Sequence, residues 1–168
     1  MANTYEKIQS VTVSASTSAA IEFTSIPGTF DDLVVLASAR STRATDTIDD
    51  LVIRFNDSTT SYSGRRLYGT GGGAVSDTQT DIRGFAVANN STASTFSNNT
   101  FYVLNYASSS NKSVSIDGVN ENDNATSFSG LVAGLWSNTA AITKITLLAN
   151  NGNLMQYSTA TLYGIKKS

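Results

Sequence analysis

An antiparallel all-β fold, a jelly-roll-like β-sandwich occupying residues 1–168 as one domain, is predicted by three observations on the sequence. Apolar residues fall in short runs, several of them alternating with polar residues, the period of a strand with one buried and one wet face. Clusters rich in Asn, Gly and Ser separate those runs, and Asn and Gly tolerate the positive φ of tight turns. No long segment carries the i, i+3, i+4, i+7 apolar stripe of a helix, although Phe128 to Trp136 has room for a short one.

Along the chain, Val11-Thr12-Val13 alternates, and Ile21 to Thr24 forms the next candidate strand before the turn at Ile26-Pro27-Gly28. Leu33 to Ala37, Leu51 to Phe55 and Phe101 to Leu104 are continuous, rich in β-branched and aromatic residues, and read as central strands. Ile82 to Ala88, Ser113 to Ile116, Phe128 to Trp136, Ile142 to Leu148 and Thr159 to Ile165 bring the total to about ten strands. Turns are expected at Asn56-Asp57-Ser58, Gly69 to Gly73, Asn89-Asn90-Ser91, Ser108 to Asn111, Asn120 to Asn124 and Asn150 to Asn153.

Composition narrows the chemistry. The chain of 168 residues contains no cysteine, which excludes disulfides, thiolate metal sites and cysteine nucleophiles. It contains no histidine either, removing the commonest general base and metal ligand. Eleven basic and thirteen acidic residues leave a net charge of −2. The only adjacent basic pairs are Arg65-Arg66 and Lys166-Lys167, too few for a phosphate-binding surface, so no nucleic-acid partner is expected. Surface polarity comes from Ser, Thr and Asn, which number 24, 22 and 15. The polar opening Met1 to Lys7 leads into no long apolar stretch, so neither a secretory signal nor a membrane span is expected, and a soluble protein is.

Candidate sites are few. Asp117, Glu121 and Asp123 lie in an oxygen-rich segment that could ligate calcium, but the spacing is not that of an EF-hand and Asn and Asp are ordinary turn residues. Asp31-Asp32 and Asp46, Asp49 and Asp50 are the carboxylate groupings a glycan hydrolase would need; both precede apolar runs, where acids end strands and discourage edge pairing. Gly69-Thr70-Gly71-Gly72-Gly73 lacks the Gly-Lys-Ser/Thr ending of a phosphate loop and reads as a flexible loop. Trp136 sits in an apolar run and reads as core rather than as a sugar-stacking platform. Tyr62, Arg65, Arg66 and Tyr68 place arginines beside tyrosines, the composition of a protein interface, and form the candidate contact segment. No catalytic residue, metal or cofactor is expected.

Three stretches taken together carry a resemblance: Tyr5 to Ile8 with Ile21 to Pro27; Leu51 to Asn56 with Tyr62-Ser63 and Leu67-Tyr68-Gly69; and Tyr157 to Ile165. With Phe96-Ser97-Asn98 and Leu135 to Thr143, they resemble a family of small bacteriophage virion structural proteins, found among tailed phages including those of cyanobacteria. The likeness runs over nearly the whole chain. It implies a non-enzymatic protein on the virion, either decorating and cementing the capsid surface against the major capsid protein or forming a tail or fibre tip that recognises a host glycan. The absence of heptads or a repetitive shaft favours the capsid. The habits of such proteins imply a homo-oligomer, with a trimer expected.

Overall fold

A computed structural model describes residues 4–166. The described residues form fourteen strands: β1 (Tyr5–Thr12), β2 (Thr17–Ser18), β3 (Ile21–Phe23), β4 (Asp32–Ser38), β5 (Ile48–Phe55), β6 (Tyr62–Gly69), β7 (Ala74–Gln79), β8 (Ile82–Val87), β9 (Asn98–Val103), β10 (Lys112–Val119), β11 (Ser129–Trp136), β12 (Ile145–Ala149), β13 (Leu154–Met155) and β14 (Thr159–Ile165). Among the described residues there is no helix, and the segment with room for one is strand from Ser129 to Trp136, its alternation burying Val132, Gly134 and Trp136 on one side.

The strands form an antiparallel β-sandwich. One sheet has eight strands in the order β1-β14-β4-β9-β10-β11-β6-β7, and the facing sheet has four, β3-β12-β5-β8. Counting β1, β3, β4, β5, β8, β9, β12 and β14 alone as one to eight, the sheets read 1-8-3-6 and 2-7-4-5, the order of a jelly roll. The remaining long strands are two excursions: the β6–β7 hairpin, between β5 and β8, and β10–β11, between β9 and β12. Both leave the same end of the sandwich and extend the large sheet beyond β9. At the other end the β2–β13 ribbon and bridges from Arg40 to Val87 and from Ser41 to Leu154 tie the loops together.

In the continuous apolar runs burial reaches both faces over part of the strand: Leu33, Val34 and Val35 of β4, and Leu51, Val52 and Ile53 of β5, are all buried, whereas Leu36 of β4 is exposed. Between the sheets lie Phe23, Leu33, Ile53, Phe55, Phe101, Ile116 and Leu162, each fully buried. The added strands curl around β8. Phe85 of β8 is enclosed because β10 and β11 present Gly118 and Gly130 to it; a Cβ on Gly118 would come within 2.7 Å of the ring.

Candidate functional site

Strand alternation divides the predicted contact segment between two faces. Along β6, Tyr62, Gly64, Arg66 and Tyr68 turn inward, while Ser63, Arg65 and Leu67 turn out. Tyr62 is only 9% exposed; its ring stacks on Trp136 with centroids 6.1 Å apart, and its hydroxyl accepts a hydrogen bond from the Phe55 amide at 2.8 Å. Trp136 is core, as its apolar run implied. Tyr68 packs on Phe128, 4.6 Å between centroids.

Arg66 is buried in an ionic chain. Its guanidinium donates to Asp50 and to Asp77, each at 2.8 Å, and lies 4.7 Å from the Tyr68 ring centroid. Asp50 continues to Arg83, which reaches Asp81 at 2.8 Å, and Asp81 ends the chain on Arg54. Burial alone would lower the Arg66 pKa, but the hydrogen bonds and fields of Asp77 and Asp50 outweigh it and raise the pKa. This chain of alternating charges fastens the β6–β7 excursion to the back of the small sheet. Of the four predicted contact residues, Arg65 alone is exposed.

On the outer face the antiparallel registers align Arg65 with Ala133 and Ser115, and Leu67 with Leu131 and Asp117. Leu67 and Leu131 are 54% and 58% exposed, and Leu135 stands on the same face. Small outward residues between these leucines, among them Ala133, Ser113 and Ser129, leave three depressions of about 700, 330 and 280 Å³ along the seam of β6 and β11. The leucines could have been found from the sequence. In Ser63-x-Arg65-x-Leu67 and Leu131-x-Ala133-x-Leu135 the period of two selects them, once Trp136 and Tyr62 are assigned inward.

The other candidates hold the fold together. Asp32 accepts from the Tyr102 hydroxyl at 2.6 Å and the Asn105 amide at 2.7 Å, Asp46 pairs with Arg43 at 3.2 Å, and Asp49 accepts from Asn151. Asp31 takes no part in this set. Glu121 accepts from the amides of Asn122 and Asp123 and from Ser127, and those bonds lower its pKa. Its neighbours Asn120 and Asn122 are buried, bonded across to Ala86 and Thr47. Among the described residues no three carboxylates gather into a ligand cluster. Gly69 to Gly73 makes the turn between β6 and β7, with Gly71 at φ +82° and the Thr70 amide bonded to Gly73. Lys166 pairs with Glu6 at 2.5 Å; Lys167 lies outside the described residues.

Fold and face define a jelly-roll sandwich whose large sheet is widened by four strands and carries exposed leucines on its outer side. Compared with known proteins, the chain matches no family model, no curated protein and no solved structure.

Proposed function

We propose that the protein is a structural component of a bacteriophage particle, a decoration protein that binds the capsid shell and cements it. The observation carrying this reading is the outer face of the widened sheet, where Leu67, Leu131 and Leu135 lie uncovered while the arginines, aspartates and tyrosines beneath are engaged in internal bonds. Contiguous apolar surface with no cover in the single chain is the signature of an assembly surface. The jelly roll recurs in viral capsid proteins, and the resemblance of the sequence points the same way, although a fold by itself does not choose a function. Quantitative mass spectrometry of purified virions tests it. A copy number near that of the major shell subunit is expected, with loss of heat or osmotic resistance in particles lacking the protein; particles with only a few copies would sink the decoration reading.

A second reading, a tail or fibre tip that binds a host glycan, is favoured by the end of the sandwich away from the excursions. Four loops meet there, around residues 13–20, 39–47, 88–97 and 150–158, and Arg40 organises one of them by donating to the carbonyls of Asn89, Ser91, Thr92 and Thr95. Such a rigid frame under Ser, Thr and Asn side chains suits neutral sugars. Binding of the purified chain to a glycan array would support this reading, and silence against glycans of the host would count against it.

A further inference from the structure

We propose that the outer face of β10, β11 and β6 is self-complementary, and that a second copy of this chain packs on it face to face about a two-fold axis. The inference rests on the reading of this face as an assembly surface. Its basis is charge. Arg65 on β6 and Asp117 on β10 flank β11, and both are exposed. Arg65 donates only to the carbonyl of Gly64, at 3.0 Å, and neither residue has an oppositely charged partner among the described residues. Arg43, Arg54, Arg66, Arg83, Lys144 and Lys166 all do, and the buried Arg40 and Lys112 are held by backbone carbonyls, which leaves Lys7 as the other exposed described cation without an acidic partner.

Geometry makes the two charges interchangeable. The registers put Arg65 level with Ala133 and Asp117 level with Leu131, so the midpoint between the charges falls on β11 between those two residues. A two-fold axis lying in the face through that point, perpendicular to the line joining the charges, sets Arg65 of each copy over Asp117 of the other. With strands about 4.8 Å apart and same-face residues about 6.8 Å apart along a strand, Leu67 and Leu131 lie within a few ångströms of that axis. Each therefore meets its own counterpart, and an apolar strip forms between two ion pairs. The hollows beside Ala133 and Ser129 receive the projecting leucines.

Eight-residue strands rise about 27 Å, and β10, β11 and β6 span about 14 Å, or about 24 Å with β9 and β7 at their margins. The pair therefore buries at most about 650 Å² per partner, at the small end of a standard interface. An isologous pair of this kind differs from the trimer expected from the resemblance.

Sedimentation equilibrium of the purified chain tests the proposal. The expected mass is twice 17.7 kDa, with dissociation favoured by salt. Arg65→Asp alone and Asp117→Arg alone should each raise the dimer dissociation constant by about tenfold or more, because like charges then face each other. Combining the two should restore the dimer. Thermal unfolding of all three variants, measured at a dilution where each is monomeric, should match the unsubstituted chain, since both side chains are exposed. A monomer, a trimer, or a dimer indifferent to the single reversals overturns the self-pairing. If the chain is monomeric yet Leu131→Glu strips it from virions, the face serves another virion protein, and the self-pairing fails while the assembly reading stands. If the dimer behaves as described but the protein is absent from virions, the self-pairing stands and the decoration reading fails.

Discussion

The side-chain amide of Asn99 takes the place of a neighbouring strand for Phe85. Its Oδ1 accepts from the Phe85 amide at 2.8 Å, and its Nδ2 donates to the Phe85 carbonyl at 2.8 Å and to Ser97 Oγ at 3.1 Å. β8 is the last strand of the small sheet, so one edge of its backbone has no ladder. Both residues are fully buried, and water cannot serve that edge. Asn99 thus joins the two sheets through the core. Asn99→Ala should destabilise by about 3 kcal/mol, since two buried backbone groups lose their partners at about 1–3 kcal/mol each with partial relaxation. Urea unfolding measures it, and a change below about 0.5 kcal/mol would show that the edge finds other partners.

The same pair sets the requirement for glycine at 118. A Cβ there would stand 2.6 Å from Asn99 Oδ1 and 2.7 Å from Phe85 Cδ2, between two groups that have no room to withdraw. Gly118→Ala should cost about 1–3 kcal/mol as overpacking. At Gly69, on the outer face, the nearest atom is a carbonyl oxygen at 4.0 Å and φ is not positive. Gly69→Ala should therefore be close to neutral. Equal effects at the two positions in thermal or urea unfolding would refute this origin for the enclosure of β8.

The ionic chain under β6 predicts a specific acid sensitivity. Burial tends to raise the Asp77 carboxyl, but hydrogen bonds from Arg66 and Gln79, with the fields of Arg66 and Arg83, outweigh it and hold the pKa below its ordinary value. The same balance holds at Asp81, where Arg54 and Arg83 outweigh burial. Both carboxyls thus bind protons less readily folded than unfolded. Their contribution is complete above the ordinary carboxylate value near 3.8 and is lost as pH falls through their lower folded values. Asp77→Asn should flatten that acid limb of stability against pH. Arg66→Met should cost about 3 kcal/mol at neutral pH by removing the only ionic partner of Asp77 among the described residues and leaving Asp50 to Arg83 alone. An unchanged acid limb in Asp77→Asn would mean that Asp77 is not among its causes.

How far the sequence could lead is clearest at β6 and β7. Strands whose apolar residues cluster, such as β4, β5 and β9, were legible because burial on one or both faces leaves a compositional trace. β7 leaves none: Ala74 to Gln79 is mainly polar, an edge strand held by its ladder to β6 and by Asp77 on Arg66. The two-residue strands β2 and β13 are likewise set by the loops they join. The contact segment was half legible. Tyr62, Arg66 and Tyr68 share one face and Arg65 the other, and their period of two was there to see. What was not visible is that the charged Arg66 faces inward, because Asp50 and Asp77, distant in sequence, make its burial tolerable.

Tyr102 predicts the behaviour at the alkaline end. Its hydroxyl donates to Asp32 at 2.6 Å on the outer side of β9. That hydrogen bond chiefly, then burial, then the nearby Asp32 charge, push its pKa up to about 12 from 10.0. Ionising the phenol would break the bond and set an anion against a carboxylate. Because the folded value is the higher one, the contribution of this pair is complete below pH 10.0 and is lost as pH climbs through about 12. Tyr62 and Tyr106 are raised as well, mainly by burial, so the whole chain should lose stability in this range. Tyr102→Phe should be less stable at neutral pH yet show a shallower alkaline decline. Asp32→Asn should bring the Tyr102 transition back toward its ordinary value in a tyrosine absorbance titration. If that transition stays near 12 in Asp32→Asn, the carboxylate is not its cause.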